Sequence, residues 1–339
     1  MYKVALNFAD GKTLFCAVPP NGILLDAALK CGIKIPLDCR EGVCATCQGR
    51  CESGSYTQDY VDEEALSEQD LAERKVLSCQ TRVLSDAAFY FDFDSTLCSN
   101  EGTTEVTSTV AEVTQVSDST AIIRVTIAAD QPDLNFLPGQ YARLKVPGTD
   151  HSRSYSFACA PGNRSLEFLV RLLPSGVMTD YVRERCKVGD TIKMEAPLGA
   201  FYLRHIDRPV VMVAGGTGLS AFLGMLDQLA EKGGSGYPIH LFYGVRTERD
   251  LCELERIEAY KAKISAFEFT PVLSDAGKQW QGLTGFIPAH LSQYETADTP
   301  FDIYMCGPPP MVESIKHWHT HNALTSARIF FEKFTESNS

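Results

Sequence analysis

The sequence predicts a multidomain chain in three parts: a small α+β unit, an antiparallel β-barrel or sandwich, and an α/β unit on a parallel sheet. Three observations predict it. Two strand-like runs flank Asp10-Gly11, a hairpin signal, and short helical patterns follow them. The middle of the chain holds regularly spaced short alternating segments, separated by Pro138-Gly139, Pro147-Gly148 and Pro161-Gly162. After Arg208 the rhythm changes to buried strand, then helix, repeated, which requires a parallel sheet covered by helices. The length of 339 residues agrees, at about 100–200 residues per domain.

Each element follows in order. Residues 3–8 and 12–18 are expected strands, Leu24 to Lys30 a short helix, and 36–51 an irregular, cysteine-rich stretch. Ser67 to Arg74 is a second short helix and Ala87 to Phe93 a closing strand, so the first domain is assigned residues 1–96. Residues 97–106 are polar and hydroxyl-rich, the composition of a linker. Strands are expected over 119–127, 141–146, 154–158, 166–172 and 191–196, within a barrel domain of residues 107–206. In the third domain, 207–339, strands are expected over 210–214, 239–243, 267–273 and 302–306. Helices are expected over 219–231, 251–262 and 310–319. Pro209 to Leu226 is uncharged for 18 residues, near the length of a membrane span. The glycines at 215, 216 and 218 in its middle instead mark a strand, a turn and a helix.

Charge and cysteine content narrow the function. The net charge is −12, and an acidic chain gains nothing from counterion release, which argues against nucleic acid as a partner. Residues 1–97 carry 9 Lys/Arg and 15 Asp/Glu, more than twice the negative charge per residue of the remainder. A solvated face accounts for that, and so does a docking surface for a protein partner. Twelve cysteines would suit a secreted disulfide scaffold, but Met1 to Asp10 shows no apolar export segment. The expected location is therefore cytoplasmic, where clustered thiols serve metal or redox chemistry.

Cys39, Cys44, Cys47 and Cys79 have the spacing C-x4-C-x2-C…C, that of a plant-type [2Fe-2S] cluster. A closed zinc site usually has two C-x2–4-C pairs, and no histidine precedes His151 to complete a Cys/His set. Gly42 can adopt φ > 0 and bring backbone N–H groups toward the sulfurs. Cys51 could compete as a ligand, but the triplet already closes the pattern. The remaining cysteines are expected to be small buried hydrophobes or inert thiols.

Arg153-Ser154-Tyr155-Ser156 follows a barrel-like strand. An arginine can grip phosphate, a tyrosine can lie against an isoalloxazine ring, and the Ser156 hydroxyl can reach the flavin N5 edge. Gly176, Val177, Met178 and Thr179 open a helical stretch whose free N–H groups suit a pyrophosphate. Two phosphates favour FAD over FMN. Gly215 to Gly218 lies between a buried strand and a helix, so Gly216, Thr217 and Gly218 are candidates to receive a dinucleotide. Cys306, Gly307 and Pro308 end a later strand of the same sheet, where open α/β sheets bind ligands. Cys306 is thus expected near the nicotinamide. Arg246 and Asp250 follow the second strand, where adenine ribose would sit; Asp250 disfavours a 2′-phosphate, whereas Arg246 and Arg249 could attract one. His317, His319 and His321 are expected at the surface.

Taken in this order, the motifs resemble those of the reductase components of bacterial aromatic-ring dioxygenases, in particular the benzoate, toluate and anthranilate 1,2-dioxygenase reductases. The resemblance covers essentially the whole chain. It implies a β-grasp ferredoxin domain, a flavin-binding barrel and a dinucleotide-binding α/β domain. Cys39, Cys44, Cys47 and Cys79 would hold the cluster, and Arg153, Tyr155 and Ser156 would contact FAD. Gly176 to Thr179 would support the FAD pyrophosphate. Phe334 would cover the flavin and Glu332 would lie near the hydride path, together with Ser156 and Cys306. The sequence alone does not choose between Phe331 and Phe334.

The resemblance also implies hydride transfer from NADH to FAD, then single electrons to the cluster. Plant-type clusters lie near about −400 mV, low enough to reduce a Rieske centre at roughly −150 to +300 mV. The implied partner is a terminal oxygenase with a Rieske centre, in aromatic hydrocarbon catabolism, and no membrane. Reductases of phenol hydroxylase and methane monooxygenase share this plan and are the alternative. A non-enzymatic electron carrier or redox sensor would not need intact flavin and dinucleotide motifs. Oligomeric state and domain orientation are left open.

Overall fold

The computed structural model describes residues 1–98, 103–295 and 299–334. The chain divides into two compact units, Met1–Thr103 with Leu198–Ala200, and Thr104–Pro197 with Phe201–Ser339.

In the first unit, β1 (Tyr2–Phe8) and β2 (Thr13–Val18) form the expected hairpin, and α1 (Leu24–Lys30) lies where its pattern placed it. Then come β3 (Gln48–Ser53), β4 (Tyr56–Gln58), α2 (Glu68–Ala72), β5 (Lys75–Leu77), β6 (Thr81–Val83) and β7 (Ala87–Phe91). The main sheet has the order β2-β1-β7-β3-β5, with β1 and β7 parallel, and β4 pairs with β6. Alternation buries Val4, Leu6 and Phe8 of β1 and Phe89 and Phe91 of β7, while α1 contributes Leu24, Leu25, Ala27 and Ala28. Ser67 caps α2 through a reciprocal pair with Asp70. The cysteine-rich stretch is not irregular throughout. It becomes β3 at Gln48, because Gly49 and Cys51 turn inward there while Arg50 and Glu52 turn out.

The second unit begins with a barrel. Its elements are β8 (Thr104–Ser117), β9 (Thr120–Ile127), β10 (Tyr141–Lys145), β11 (Ser152–Ser156), β12 (Ser165–Arg171), α3 (Val177–Glu184) and β13 (Thr191–Leu198). The strand order is β11-β10-β13-β8-β9-β12. An antiparallel bridge between Phe157 and Phe168 joins the two end strands and closes the sheet. The linker expectation needs correcting here. Residues 99–102 lie outside the described residues, but Thr104, Glu105 and Val106 already pair with Ala196, Glu195 and Met194 of β13. Threonine and valine favour strands when a partner is present, and a polar composition hid that.

The remainder is a parallel sheet of order β17-β16-β15-β14-β18-β19. Its elements are β14 (Val210–Gly215), α4 (Leu219–Glu231), β15 (Ile239–Val245), α5 (Leu254–Tyr260), β16 (Phe267–Leu273) and β17 (Leu283–Thr284). After these come α6 (Ser292–Glu295), β18 (Phe301–Gly307), α7 (Pro309–His321) and β19 (Ala327–Lys333). Every residue of β14 and of β18 is buried, as central parallel strands require. Thus the uncharged run from Pro209 is a core strand, a turn and a core helix. Among the described residues, no helix is long and apolar enough to cross a membrane. The barrel and the parallel sheet share one apolar cluster, in which Ile122, Leu169 and Phe201 meet Leu219, Phe222 and Tyr304.

Candidate functional site

The four predicted cysteines come together in the first unit, in two pairs. Cys39 interacts first with Cys44, and Cys47 with Cys79; the charges on Cys39 and Cys44 also reach Cys79. Among the described residues, no three His, Cys, Asp or Glu side chains converge as they would around one ion. Two adjacent thiol pairs instead suit two metal ions that take two thiolates each, as in a [2Fe-2S] centre.

The loop is shaped for anionic sulfur. Hydrogen bonding with Cys44, and then with the N–H groups of Glu41, Val43 and Cys44, holds the Cys39 thiol low, at about 5, against the effect of burial. The Glu41 N–H donates to Cys39 Sγ at 3.3 Å. Gly42 has φ of +83°, and a Cβ there would stand 2.3 Å from the Tyr60 carbonyl oxygen, so only glycine fits. Arg40 and Ala45 also have positive φ, near +60°, a strain that surrounding contacts must hold. Gln80 supplies several: its Nε2 donates to the Arg40 carbonyl at 2.8 Å and lies 3.7 Å from Cys79 Sγ, and its Oε1 accepts from Tyr60 N–H. Sequence reasoning missed Gln80; its position beside Cys79 was the available signal. Cys51 stands apart, buried on β3, with Arg74 Nη2 at 3.1 Å from its sulfur.

On the barrel, β11 places Arg153 and Tyr155 on one face and Ser156 on the other, at the strand's end. Burial pushes the Tyr155 hydroxyl pKa up, so it stays a neutral phenol beside Arg153. Ser156 is 2% exposed, and its Oγ has no hydrogen-bond partner among the described residues. An unmet buried hydroxyl costs about 1–3 kcal/mol, so this position fits a bound polar group.

Gly176 caps α3, whose first residues are Val177, Met178 and Thr179. Met178 and Thr179 are buried. The Thr179 hydroxyl donates to the Arg171 carbonyl and accepts from Leu173 N–H, both at 3.2 Å. Its work in the structure is to hold the loop ahead of the helix.

The Gly215–Gly218 turn is built by backbone contact. A Cβ on Gly218 would stand 2.1 Å from the Cys306 carbonyl oxygen, and one on Gly215 would meet Met311 and Pro308 below 3 Å. Gly216 differs: its φ is +54°, and a Cβ there would meet nothing within 4 Å. Gly215 and Gly218 therefore bring the ends of β14 and β18 together, and Gly216 leaves the open space. Gly216–Gly218 also lies against barrel strand β12.

Cys306 and Glu332 are register partners on β18 and β19. Complete burial, and then the Glu332 carboxylate, push the Cys306 thiol pKa well up, so it is a neutral S–H. The Phe334 N–H donates to the Gly307 carbonyl at 2.9 Å, tying the tail to the same corner. Phe334 packs on the cluster shared with the barrel, whereas Phe331 faces the other side, beneath Lys316 and Lys333.

In the loop after β15, Asp250 and Arg246 both have partners within the protein. Burial raises the Asp250 carboxyl, but hydrogen bonds from Ser119 and Thr247 outweigh it and hold the carboxyl low. Asp250 Oδ2 accepts from Thr247 N–H at 3.0 Å and Oγ1 at 2.8 Å, so this carboxylate shapes its own turn. Arg246 reaches Asp275 Oδ2 at 3.2 Å. Sequence reasoning missed Asp275, which follows the next strand. His317 and His321 are exposed with rings 6.0 Å apart, while His319 is half-buried against the Ala327 carbonyl.

Comparison with known proteins agrees with this layout. Residues 7–84 match the 2Fe-2S iron-sulfur cluster binding domain, 107–202 the oxidoreductase FAD-binding domain and 212–317 the oxidoreductase NAD-binding domain. The chain is 55% identical to the anthranilate 1,2-dioxygenase electron transfer component of Acinetobacter baylyi, over 99% of this chain and 98% of that protein. It is 38% identical to the toluate 1,2-dioxygenase electron transfer component of Pseudomonas putida, over 99% of both. A crystal structure of an Amycolatopsis cytochrome P450 reductase aligns over all of both chains, with TM-score 0.72 and 30% identity. With its cluster-, FAD- and NAD-binding domains in this order, the chain belongs to the family of electron transfer components of aromatic-ring 1,2-dioxygenases.

Proposed function

We propose that this chain takes electrons from NADH and delivers them to the Rieske centre of a terminal aromatic-ring 1,2-dioxygenase of the benzoate and anthranilate type. The observation that carries the reading is the 55% identity to an anthranilate 1,2-dioxygenase electron transfer component along nearly the whole chain. The reductase component of a phenol 2-monooxygenase is 32% identical, which disfavours the alternative plan. Twelve free thiols support a cytoplasmic location. The domain boundaries near residues 96, 106 and 206 belong to the same proposal, with the correction that β8 starts at Thr104.

In this reading Cys39, Cys44, Cys47 and Cys79 would hold the cluster through their two pairs, and the N–H of Glu41 would stabilise its anionic charge. FAD and the cluster, when bound, supply the conversion of a hydride pair into single electrons. Arg153 grips phosphate, Tyr155 lies on the ring, and Ser156 completes its hydrogen bonding on the flavin edge. Gly176 to Thr179 present the start of α3 to the pyrophosphate. Gly216 to Gly218 and Gly307-Pro308 receive the dinucleotide, Cys306 sits beside its nicotinamide as a neutral thiol, and Glu332 lies behind it. Phe334, rather than Phe331, covers the flavin, since it lies on the barrel-facing side of β19.

An anaerobic NADH titration followed by visible absorption and low-temperature EPR tests the reading. Flavin bleaching with a reduced [2Fe-2S] signal supports it; bleaching without that signal breaks the path at the cluster. Arg153→Ala should release FAD, read as a lower flavin-to-protein ratio after gel filtration, and an unchanged ratio removes Arg153 from the site. For the donor, Asp275 neutralises Arg246, which would otherwise attract a 2′-phosphate, so NADH is preferred. Asp275→Asn should lower the KM for NADPH while leaving that for NADH nearly unchanged. A KM for NADPH below that for NADH in the unaltered chain would overturn the preference.

A further inference from the structure

Arg256 on α5 uses every nitrogen of its guanidinium. Its Nη1 donates to Glu167 at 2.5 Å and to Glu253 at 3.1 Å; Nη2 donates to Asp227 at 2.6 Å and to the Ala158 carbonyl at 2.7 Å; Nε donates to the Tyr260 hydroxyl at 3.0 Å. Ala158 and Glu167 belong to the barrel, and Asp227 lies on α4. Tyr260 Oη in turn donates to Asp227 at 2.6 Å, and Arg124 Nε donates to Glu167 at 2.6 Å.

These contacts join two particular elements. Ala158 lies two residues beyond Ser156, at the end of the strand that carries Arg153 and Tyr155. Asp227 lies on the helix that starts directly after the Gly216–Gly218 turn. A second feature marks the same junction. Gly224, three residues before Asp227 and so on the same helix face, packs against barrel backbone: a Cβ there would stand 2.8 Å from the Cys159 carbonyl oxygen and 3.0 Å from that of Phe157. Thus the segment 157–159 is pulled onto α4 by Arg256 and admitted by the missing side chain of Gly224.

The geometry points to Arg256 as a positioning residue that, with Gly224, sets the spacing between the flavin-bearing strand and the dinucleotide-bearing helix. It touches no reacting atom. The inference rests on the functional reading above. Hydride transfer needs its donor and acceptor atoms about 3–3.5 Å apart, and a displacement of about 1 Å can cost on the order of a hundredfold in rate. One guanidinium that bonds both elements governs that separation. A lysine has the charge but not the planar fork, and cannot hold all these acceptors at once.

The test uses the FAD-loaded full chain and two conservative variants that perturb the junction differently, Arg256→Lys and Gly224→Ala. Arg256→Ala is avoided, because it would remove the guanidinium that Asp227, Glu253 and Glu167 share, leaving only Glu167 with an arginine partner, Arg124. Both variants should lower the limiting rate of flavin bleaching by saturating NADH by about tenfold or more, with FAD content and NADH affinity nearly unchanged. Both should also weaken the long-wavelength absorbance of a nicotinamide ring stacked on flavin. Without NADH, both should speed amide hydrogen exchange in segments 156–168 and 219–231 while the remainder of the chain keeps its protection. Unchanged limiting rate and long-wavelength absorbance in both variants would overturn the inference, as would a rate loss that only tracks FAD loss. Absence of NADH-driven bleaching in the unaltered chain would instead overturn the functional reading beneath it.

Discussion

Replacing Cys79 with serine should abolish NADH-dependent cytochrome c reduction while leaving NADH–ferricyanide turnover near that of the unaltered chain. Ferricyanide takes electrons from flavin in the second unit, and cytochrome c receives them through the cluster in the first. Cys79 is the one proposed cluster thiol outside the 39–47 loop, and it pairs with buried Cys47. A serine hydroxyl is a far poorer iron ligand than a thiolate, so the second pair would lose half its grip. The fold should tolerate the change. Cys79 is half-buried, serine nearly matches its volume, and the neighbouring Gln80 retains its bonds to Arg40 and Tyr60. Parallel assays with the two acceptors, with EPR of the reduced protein, check this result. Equal loss of both activities would show that Cys79 also supports the structure.

Gly218→Ala should disable the proposed dinucleotide turn and destabilise the second unit. The added Cβ would lie 2.1 Å from a backbone oxygen of Cys306 and 2.5 Å from its carbonyl carbon. No side-chain rotation relieves a clash with backbone, so β18 and the start of α4 must separate. Overpacking typically costs about 1–3 kcal/mol, and this site belongs at the upper end. For a unit of this size that lowers the melting temperature by roughly 5–10 °C. NADH-driven flavin reduction should fall further than stability alone explains, because the same shift moves Cys306 and Gly307 away from the turn. Gly216→Ala is the contrasting variant. Its Cβ would meet nothing within 4 Å, so its cost comes from the positive φ and from intrusion into the space left for the dinucleotide. Thermal unfolding with and without NADH separates the two effects.

Local signals were legible in the sequence because each depends on neighbours a few residues away. The C-x4-C-x2-C triplet must lie on one loop, and a buried strand, a run of glycines and an apolar helix follow one another within a few residues. The hairpin at Asp10-Gly11, the bounds of α4 and those of β16 needed no partner to be recognised. Where a distant partner decides, composition misled. Thr104 to Val106 has linker composition, yet β13 draws it into the barrel. Phe331 and Phe334 are equivalent by sequence. Only the pairing of β19 with β18 sends one to each side of the sheet.

By itself, then, the sequence determined the order of three domains, the four cysteines that come together and the strand-end positions of the motifs assigned to cofactors. These follow from periodicity, spacing and the stereochemistry of glycine. The tertiary structure decided which thiols form pairs, which glycines carry backbone contact and which leaves space. It also decided that Arg256, an unremarked charge on a short helix, meets Glu167 89 residues away and Ala158 98 residues away. The physical reason is common to these cases. A hydrogen bond or a close backbone approach depends on distances near 3 Å between segments that the chain brings together only on folding.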